Sequence, residues 1–395
     1  MRMDAMQKLI GLSEFMGVED SDELRPLHPP AEYANGAPPP CASTGKESPY
    51  PVYQASMSGG RTVPLLKTAL TTACERNCNY CAFRSGRDFR RTTMKPEELA
   101  ELYMRMFQSG VVKGLFLSSG VAGGGPRTQD RLIATADILR KKYNYQGYLH
   151  LKIMPGSERQ QVEASMRLAD RVSVNLEAPS TEALNRLAPQ KVLLEELLTP
   201  LRWVEELRAE MPEEHFWNGR RPSSTTQFVV GAVGENDLDL LRATDYLYRK
   251  LRLRRAYFSV FRPVQDTPFE EQQPENPWRS YRLYQASFLL RDYGFQYEDF
   301  PFAQNGRLPL EQDPKLAWAR LNLSETPVEV NRADLQHLLR VPGIGPRGAK
   351  AILGARRQGR LTSLEDLMAL GIVARRAAPF ILLSGQRPVF QLPLL

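Results

Sequence analysis

Residues 65–81 read Leu-Leu-Lys-Thr-Ala-Leu-Thr-Thr-Ala-Cys74-Glu-Arg-Asn-Cys78-Asn-Tyr-Cys81. An apolar run of strand length, 65–70, leads straight into three cysteines spaced C-x3-C-x2-C. The chain has four cysteines in 395 residues, so three of them share one loop. That is too few for a disulfide framework, and the clustering argues for metal. Three thiolates on a short loop can each hold one iron of a [4Fe–4S] cube, leaving the fourth iron without a protein ligand. Zinc is the competing reading, and it needs a fourth ligand from Cys41 or one of the four histidines.

Outward from this loop the chain alternates. Strand-like runs fall at 65–70, 114–117, 148–153, 171–176, 226–230 and 256–261, and helical periods at 96–109, 128–142, 157–169, 181–209 and 235–250. Strands separated by helices indicate an α/β protein with a parallel sheet, because each return crossover needs a helix. Six such units make either an open doubly wound sheet or an incomplete (βα)6 barrel. In both, functional groups collect at the carboxyl ends of the strands.

The cysteine spacing, with an aromatic before the third cysteine on the loop after the first strand, resembles the signature of radical S-adenosylmethionine enzymes. The resemblance implies an incomplete barrel of six units, a cluster on Cys74, Cys78 and Cys81, and S-adenosylmethionine chelated to the open iron. It also implies hydrogen abstraction by a 5′-deoxyadenosyl radical. Further cofactor contacts are carried over by position. Ser118-Ser119-Gly120 stands where the family receives the methionine amino group, through hydroxyl or backbone carbonyl. Ser173, Asn175 and Glu177 share one strand face by period two, near the ribose and methionine. Gly231, Gly234 and Glu235 resemble the family's Gly-x-x-Gly-Glu turn against adenine, and 258–263 the segment packed on it. Gly123-Gly124-Gly125 reads as a close backbone approach to a ligand or as a flexible loop.

The two ends differ from the middle. Residues 4–17 can form an amphipathic helix, and 26–51 hold eight prolines, an extended arm. Regular structure is expected to begin near Pro64. Cys41 on that arm is a structural thiol or, with Ser43, a group presented to substrate as a hydrogen-atom donor. Residues 327–395 carry ten Lys or Arg against four Asp or Glu, net +6, while the rest of the chain nets +1. Excess charge confined to one module points to a polyanion partner.

Within that module Asn331 reads as a helix N-cap, Pro342-Gly343-Ile344-Gly345 as a tight turn, and Pro346 as the first residue of a second helix. This resembles the helix-hairpin-helix DNA-binding motif. Gly343, Ile344 and Gly345 form the phosphate nest, and Arg347 and Lys350 add charge beside it. Ser363 starts a degenerate second copy. A protein-interaction hairpin is the alternative.

The expected domains are an arm at 1–60, the barrel at 61–265, a linking segment at 266–326 and an all-α helix-hairpin-helix domain at 327–395. The combination resembles a narrower family of radical enzymes described as DNA modification or repair enzymes, which act beside a uracil-DNA-glycosylase-like protein. The expected function is hydrogen abstraction from a nucleotide in DNA. The alternatives are transfer RNA modification by the same chemistry, or a DNA-binding iron–sulfur redox sensor without turnover. Expected partners are DNA and an electron donor such as flavodoxin or ferredoxin. With 42% apolar and 25% charged residues and no long apolar stretch, the chain reads as globular, with no membrane span, in the cytoplasm.

Overall fold

The computed structural model describes residues 4–13, 52–56 and 62–389, in two compact units. Cys41, Ser43 and the proline-rich stretch lie outside the described residues. The first unit runs to Glu235 and resumes over Tyr246–Ser280; the second takes Asn236–Asp245 and the chain from Tyr281. The expected boundaries at 265 and 326 are not where the chain divides.

The first unit opens with helix α1, Ala5–Ser13, which buries Leu9 and Leu12. Strand β1, Val52–Ser56, pairs antiparallel with β2, Thr62–Ala69. Regular structure therefore starts before Pro64, contrary to the sequence reading. Helix α2, Pro96–Gln108, then alternates with β3, Gly114–Ser118, α3, Gly125–Asp137, β4, Tyr148–Lys152, α4, Arg159–Leu168, and β5, Arg171–Ser173. Next come α5, Thr181–Leu187, α6, Thr199–Glu210, β6, Ser223–Val230, α7, Asp237–Leu251, and β7, Arg255–Val260. The expected single helix over 181–209 is broken after α5. Pro189 disfavours helical geometry at Ala188, which takes φ −145° and ψ 75°, and a π-helical turn, Leu193–Leu198, precedes α6.

The sheet order is β1-β2-β3-β4-β5-β6-β7, with every pair after the first parallel. A strand order that never reverses has no switch point, so successive crossovers keep their helices on one side and the sheet curls into a partial barrel. The helix-facing side is apolar: Leu66, Leu115, Leu149, Leu117, Leu151 and Val172 are fully buried. The other side carries polar rows. Lys67, Phe116, His150, Arg171 and Ser223 stand in register across β2–β6. Two residues further along, Ala69 pairs with Ser118, and Lys152, Ser173, Thr225 and Arg255 form a second row over β4–β7.

The second unit includes the later part of α8, Pro277–Asp292, then α9, Pro314–Asn322, β8, Val328–Glu329, α10, Leu335–Arg340, α11, Pro346–Ala355, α12, Leu364–Ala369, α13, Ala374–Ala377, and β9, Ile381–Leu382. β8 and β9 pair in parallel, so the module is not purely helical. Leu338, Ile344, Ile352, Leu367, Ile372 and Phe380 form its core, with Tyr293, Leu316 and Trp318 packed against them.

Candidate functional site

The three cysteines sit on the loop leaving the carboxyl end of β2. Protein contacts fix that loop on several sides. The Arg91 guanidinium donates to the carbonyls of Thr72, Phe83, Arg84 and Arg87. Asn79 N–H donates to Leu187 O and its side-chain amide to Arg186 O, and Arg76 reaches Gln190 O and Glu196. Glu75 turns the other way, its carboxylate accepting the N–H groups of Gly123 and Gly124 at 3.1 and 3.2 Å. The glycine run therefore locks the loop after β3 to the cysteine loop, and those two N–H groups are not free to meet a ligand.

Gly120 serves the same junction. Its N–H donates to Thr71 O at 2.8 Å, and a Cβ there would collide with the Ala73 carbonyl and stand 3.2 Å from Cys74 Cβ. Ser118 and Ser119 beside it are buried, and Ser119 Oγ donates to Gly120 O at 2.8 Å.

Cys78 is buried and Cys74 and Cys81 are partly buried. Burial pushes the Cys81 thiol up to about 12, helped by the charge of Cys78, and raises Cys78 as well. Such thiols deprotonate when metal binds rather than before it. The donor set fits a cube: three thiols converge from one loop, close enough to influence one another's ionisation. Among the described residues no group of three or more His, Cys, Asp or Glu, the three cysteines included, is set to hold a single metal ion, and Cys41, the further thiol of the zinc reading, lies outside them.

Lys191, which the sequence reading missed, stands against this cluster of thiols. Its Nζ donates to Glu177 Oε1 at 2.8 Å, with side chains 10% and 4% exposed. Lys191 opposes the rise at Cys78, and against its own burial its pKa is driven upward by Cys78, Glu177 and Cys81. The buried Glu177 carboxylate also meets the Tyr80 phenol in a hydrogen bond. Glu177 also has φ 66°, an unusual backbone for glutamate, held by Glu177 N–H to Gln227 O and Val229 N–H to Glu177 O. Tyr80 lies beside it, its phenol raised by burial and by the Glu177 charge.

The other expected cofactor contacts fare unevenly. β5 ends at Ser173, and both faces of 172–177 are buried, so a two-residue alternation does not separate a cofactor face from a core face. Ser173 Oγ bonds His150 Nε2 at 2.9 Å, and Asn175 is buried beyond it. The Glu235 carboxylate accepts the N–H groups of Gly231, at 2.5 Å, and Val233, and buried Arg279 stands 3.4 Å from it. Glu235 thus shapes its own Gly231–Gly234 turn, the one the sequence reading sets against adenine.

In the second unit Asp334, not Asn331, caps α10, accepting His337 N–H at 2.8 Å. Asn331 instead brackets Leu361, with bonds of 2.8 and 2.9 Å. Gly343 takes φ 83° and accepts Val373 N–H, so the first turn packs on the second hairpin. Ile344 is 1% exposed, its N–H goes to Val341 O and its carbonyl accepts Lys315 Nζ at 2.6 Å. It is a core anchor, which corrects its expected contact with DNA. Gly345 is the N-cap of α11 with Pro346 next, and Arg347 and Lys350 are exposed. The first N–H groups of α11 lack intrahelical partners. Ser363 caps α12 with Asp366 in reciprocal bonds, but α13 is a single turn, so the second copy has the hairpin's shape without its nest.

No helix of the described residues is long and apolar enough to cross a membrane. Residues 68–247 match the Radical SAM superfamily and residues 324–372 the helix-hairpin-helix motif. No curated protein matches the chain. Among solved structures it is similar to the FeFe-hydrogenase maturase HydG from Carboxydothermus hydrogenoformans, with TM-score 0.46 and 15% identity over 57% of this chain and 51% of that one. It is also similar to methylornithine synthase (PylB), with TM-score 0.46 and 11% identity over 57% and 61%. A third is the radical S-adenosylmethionine methyltransferase TsrM from Kitasatospora setae, with TM-score 0.39 and 12% identity over 55% and 41%. The chain therefore spans only 41–61% of these proteins' lengths. Residues 68–247 thus match a radical S-adenosylmethionine domain and residues 324–372 a helix-hairpin-helix motif, and the cofactors of that superfamily are a [4Fe–4S] cluster and S-adenosylmethionine.

Proposed function

We propose that this enzyme abstracts hydrogen from a nucleotide of DNA, in repair or modification. The observation that carries the reading is the α11 nest, with exposed Arg347 and Lys350, in the module that holds nearly all the excess positive charge. Cys74, Cys78 and Cys81 would hold the cluster, which with S-adenosylmethionine supplies hydrogen-atom abstraction. Glu177 would accept from the cofactor's ammonium group, while Lys191 would neutralise the carboxylate and the nearby thiolates. Ser118, Ser119 and Asn175 line the same carboxyl edge, and Gly120 keeps the two loops in contact. The hairpin contacts backbone phosphate without reading sequence, so the reacting base is selected elsewhere, after leaving the stack. An electron donor such as flavodoxin or ferredoxin completes turnover, and the narrower resemblance adds a uracil-DNA-glycosylase-like partner.

The test is mass spectrometry of damaged and undamaged deoxyoligonucleotides after anaerobic incubation with reduced enzyme and cofactor, beside transfer RNA. A mass change in DNA coupled to 5′-deoxyadenosine supports the reading. Change confined to transfer RNA reassigns the substrate, and cofactor cleavage with neither product removes both nucleic acids.

A further inference from the structure

We infer that Arg91 sets the reduction potential of the cluster on Cys74, Cys78 and Cys81, as a fixed positive charge held against the Cys74 and Cys81 side of the cysteine loop. The inference rests on the cluster assignment and not on DNA as the substrate. Arg91 is a positioning residue: it touches the loop and acts on the iron through it.

The Arg91 guanidinium reaches back across the loop that carries the three thiols. Nη1 donates to Thr72 O at 2.8 Å, just before Cys74, and to Phe83 O at 2.7 Å, just after Cys81. Nη2 donates to Arg84 O at 2.7 Å and to Arg87 O at 3.1 Å. One planar fork therefore ties the two ends of the cysteine loop together. The residue it grips also serves a thiol, since Phe83 N–H donates to Cys81 Sγ at 3.4 Å. The Phe89 ring centre lies 3.9 Å from the guanidinium carbon and covers its face.

All four of these acceptors are uncharged carbonyls, which separates Arg91 from two other cations that the loop meets. Lys191 is paired with Glu177 at 2.8 Å and Arg76 with Glu196 at 2.5 Å, so those charges are offset. Burial lowers the Arg91 pKa, the thiolates of Cys74 and Cys81 oppose that fall, and Arg87 adds to it. Electrostatic influence is mutual, so the guanidinium favours negative charge on the same two sulfurs. Arginine keeps its proton in proteins, and the charge is permanent. When the cluster is reduced, one electron from the donor enters it with no bond made or broken, adding one negative charge. Net charge and hydrogen bonds to the sulfurs set the potential of such a centre. A cation beside Cys74 and Cys81 favours the more negative, reduced state, and the N–H held against Cys81 Sγ acts in the same sense.

The experiment uses the full chain, reconstituted anaerobically with its iron counted. The midpoint potential is read from the electron paramagnetic resonance of the reduced cluster during titration with titanium(III) citrate. Arg91→Gln should lower the potential by at least about 59 mV, a tenfold loss in the equilibrium constant of a one-electron couple. Arg91→Lys, which keeps the charge without the fork, should recover most of that loss. Phe89→Glu covers the case in which the glutamine variant takes up no iron. It leaves Arg91 and its carbonyl partners in place, sets a carboxylate against the guanidinium, and should lower the potential in the same direction. A purely structural Arg91 would change iron content and leave the loaded fraction at the parental potential. That result in Arg91→Gln, or in Phe89→Glu where Arg91→Gln holds no iron, overturns the inference. A parent that takes up no iron removes the cluster assignment and this inference with it, whereas the DNA reading, which enters neither measurement, fails or stands separately.

Discussion

Lys191 Nζ and Glu177 Oε1 are 2.8 Å apart, buried, beside the thiol of Cys78. The pair exists because Pro189 breaks the helix that would otherwise carry Lys191 away from the cysteine loop. Removing one partner strands the other charge out of water. Lys191→Met should therefore destabilise the protein by about 3–5 kcal/mol, and adding Glu177→Gln should restore part of it. Denaturant unfolding measures both, and a single-variant cost below about 1 kcal/mol would show that the charge is screened.

Anaerobic reconstitution should load about four irons and four sulfides, one iron per thiolate and one open. Cys78→Ala should lose most of that iron, and a triple alanine variant should make no 5′-deoxyadenosine. Stoichiometric zinc in place of iron would refute the assignment.

Gly120→Ala tests the junction between the two loops. The added methyl meets the Ala73 carbonyl and the neighbourhood of Cys74 Cβ. Overpacking of this kind costs about 1–3 kcal/mol. Iron content should fall although no ligand has changed, while DNA affinity stays at the parental value. Full iron loading would mean that the loop yields without loss.

DNA affinity should be nearly independent of sequence and fall with salt by roughly 0.9 log units per log unit for each phosphate neutralised. Lys350→Ala should lower the slope by about one. Gly343→Val should do more damage, because φ 83° is closed to a β-branched residue and its Cβ would meet the Val373 carbonyl. Anisotropy titrations at several salt concentrations read both. A sequence-dependent, salt-insensitive affinity would exclude the nest.

Lys315, whose Nζ donates to Ile344 O under the first turn, is brought down to about 7 from an ordinary 10.5, chiefly by burial. Asp313 opposes that shift and Arg376 and Arg340 add to it. Between those values the unfolded chain holds the proton and the folded chain does not, so stability from this group rises with pH above 7 and is lost as pH falls towards 7. Urea midpoints at pH 7 and 9.5 for the parent and Lys315→Met isolate the effect: the variant should lack that part of the rise. Identical slopes would remove it.

The sequence made the six parallel strands and the cysteine loop legible, because each is a local signal: an apolar run, or a spacing within eight residues. Strand β1 was hidden, since Val52–Ser56 is a short, mixed run whose identity comes from pairing with β2. Lys191 was hidden too, having no periodic or motif context until the chain folds it against Glu177. Glu235 had the pattern of its turn, but its buried neighbour Arg279, 44 residues away, was not legible. Asn331 had the residue type of a cap, but the cap is Asp334 three residues on, and only the bonds to Leu361 and His337 reveal it.

The division of the chain bears on how the hairpins were joined to the barrel. Their core draws on Tyr293, Leu316 and Trp318, Asp313 pairs with Arg376, and Asn236–Asp245 belongs to the same unit. Helices α7 and α8 each begin in one unit and finish in the other. The hairpins are not a portable tag strung on a tether. Truncation at 327 would cut through a folding unit, and transplanting them onto another protein would require the preceding chain from Tyr281 and a substitute for the 236–245 insert.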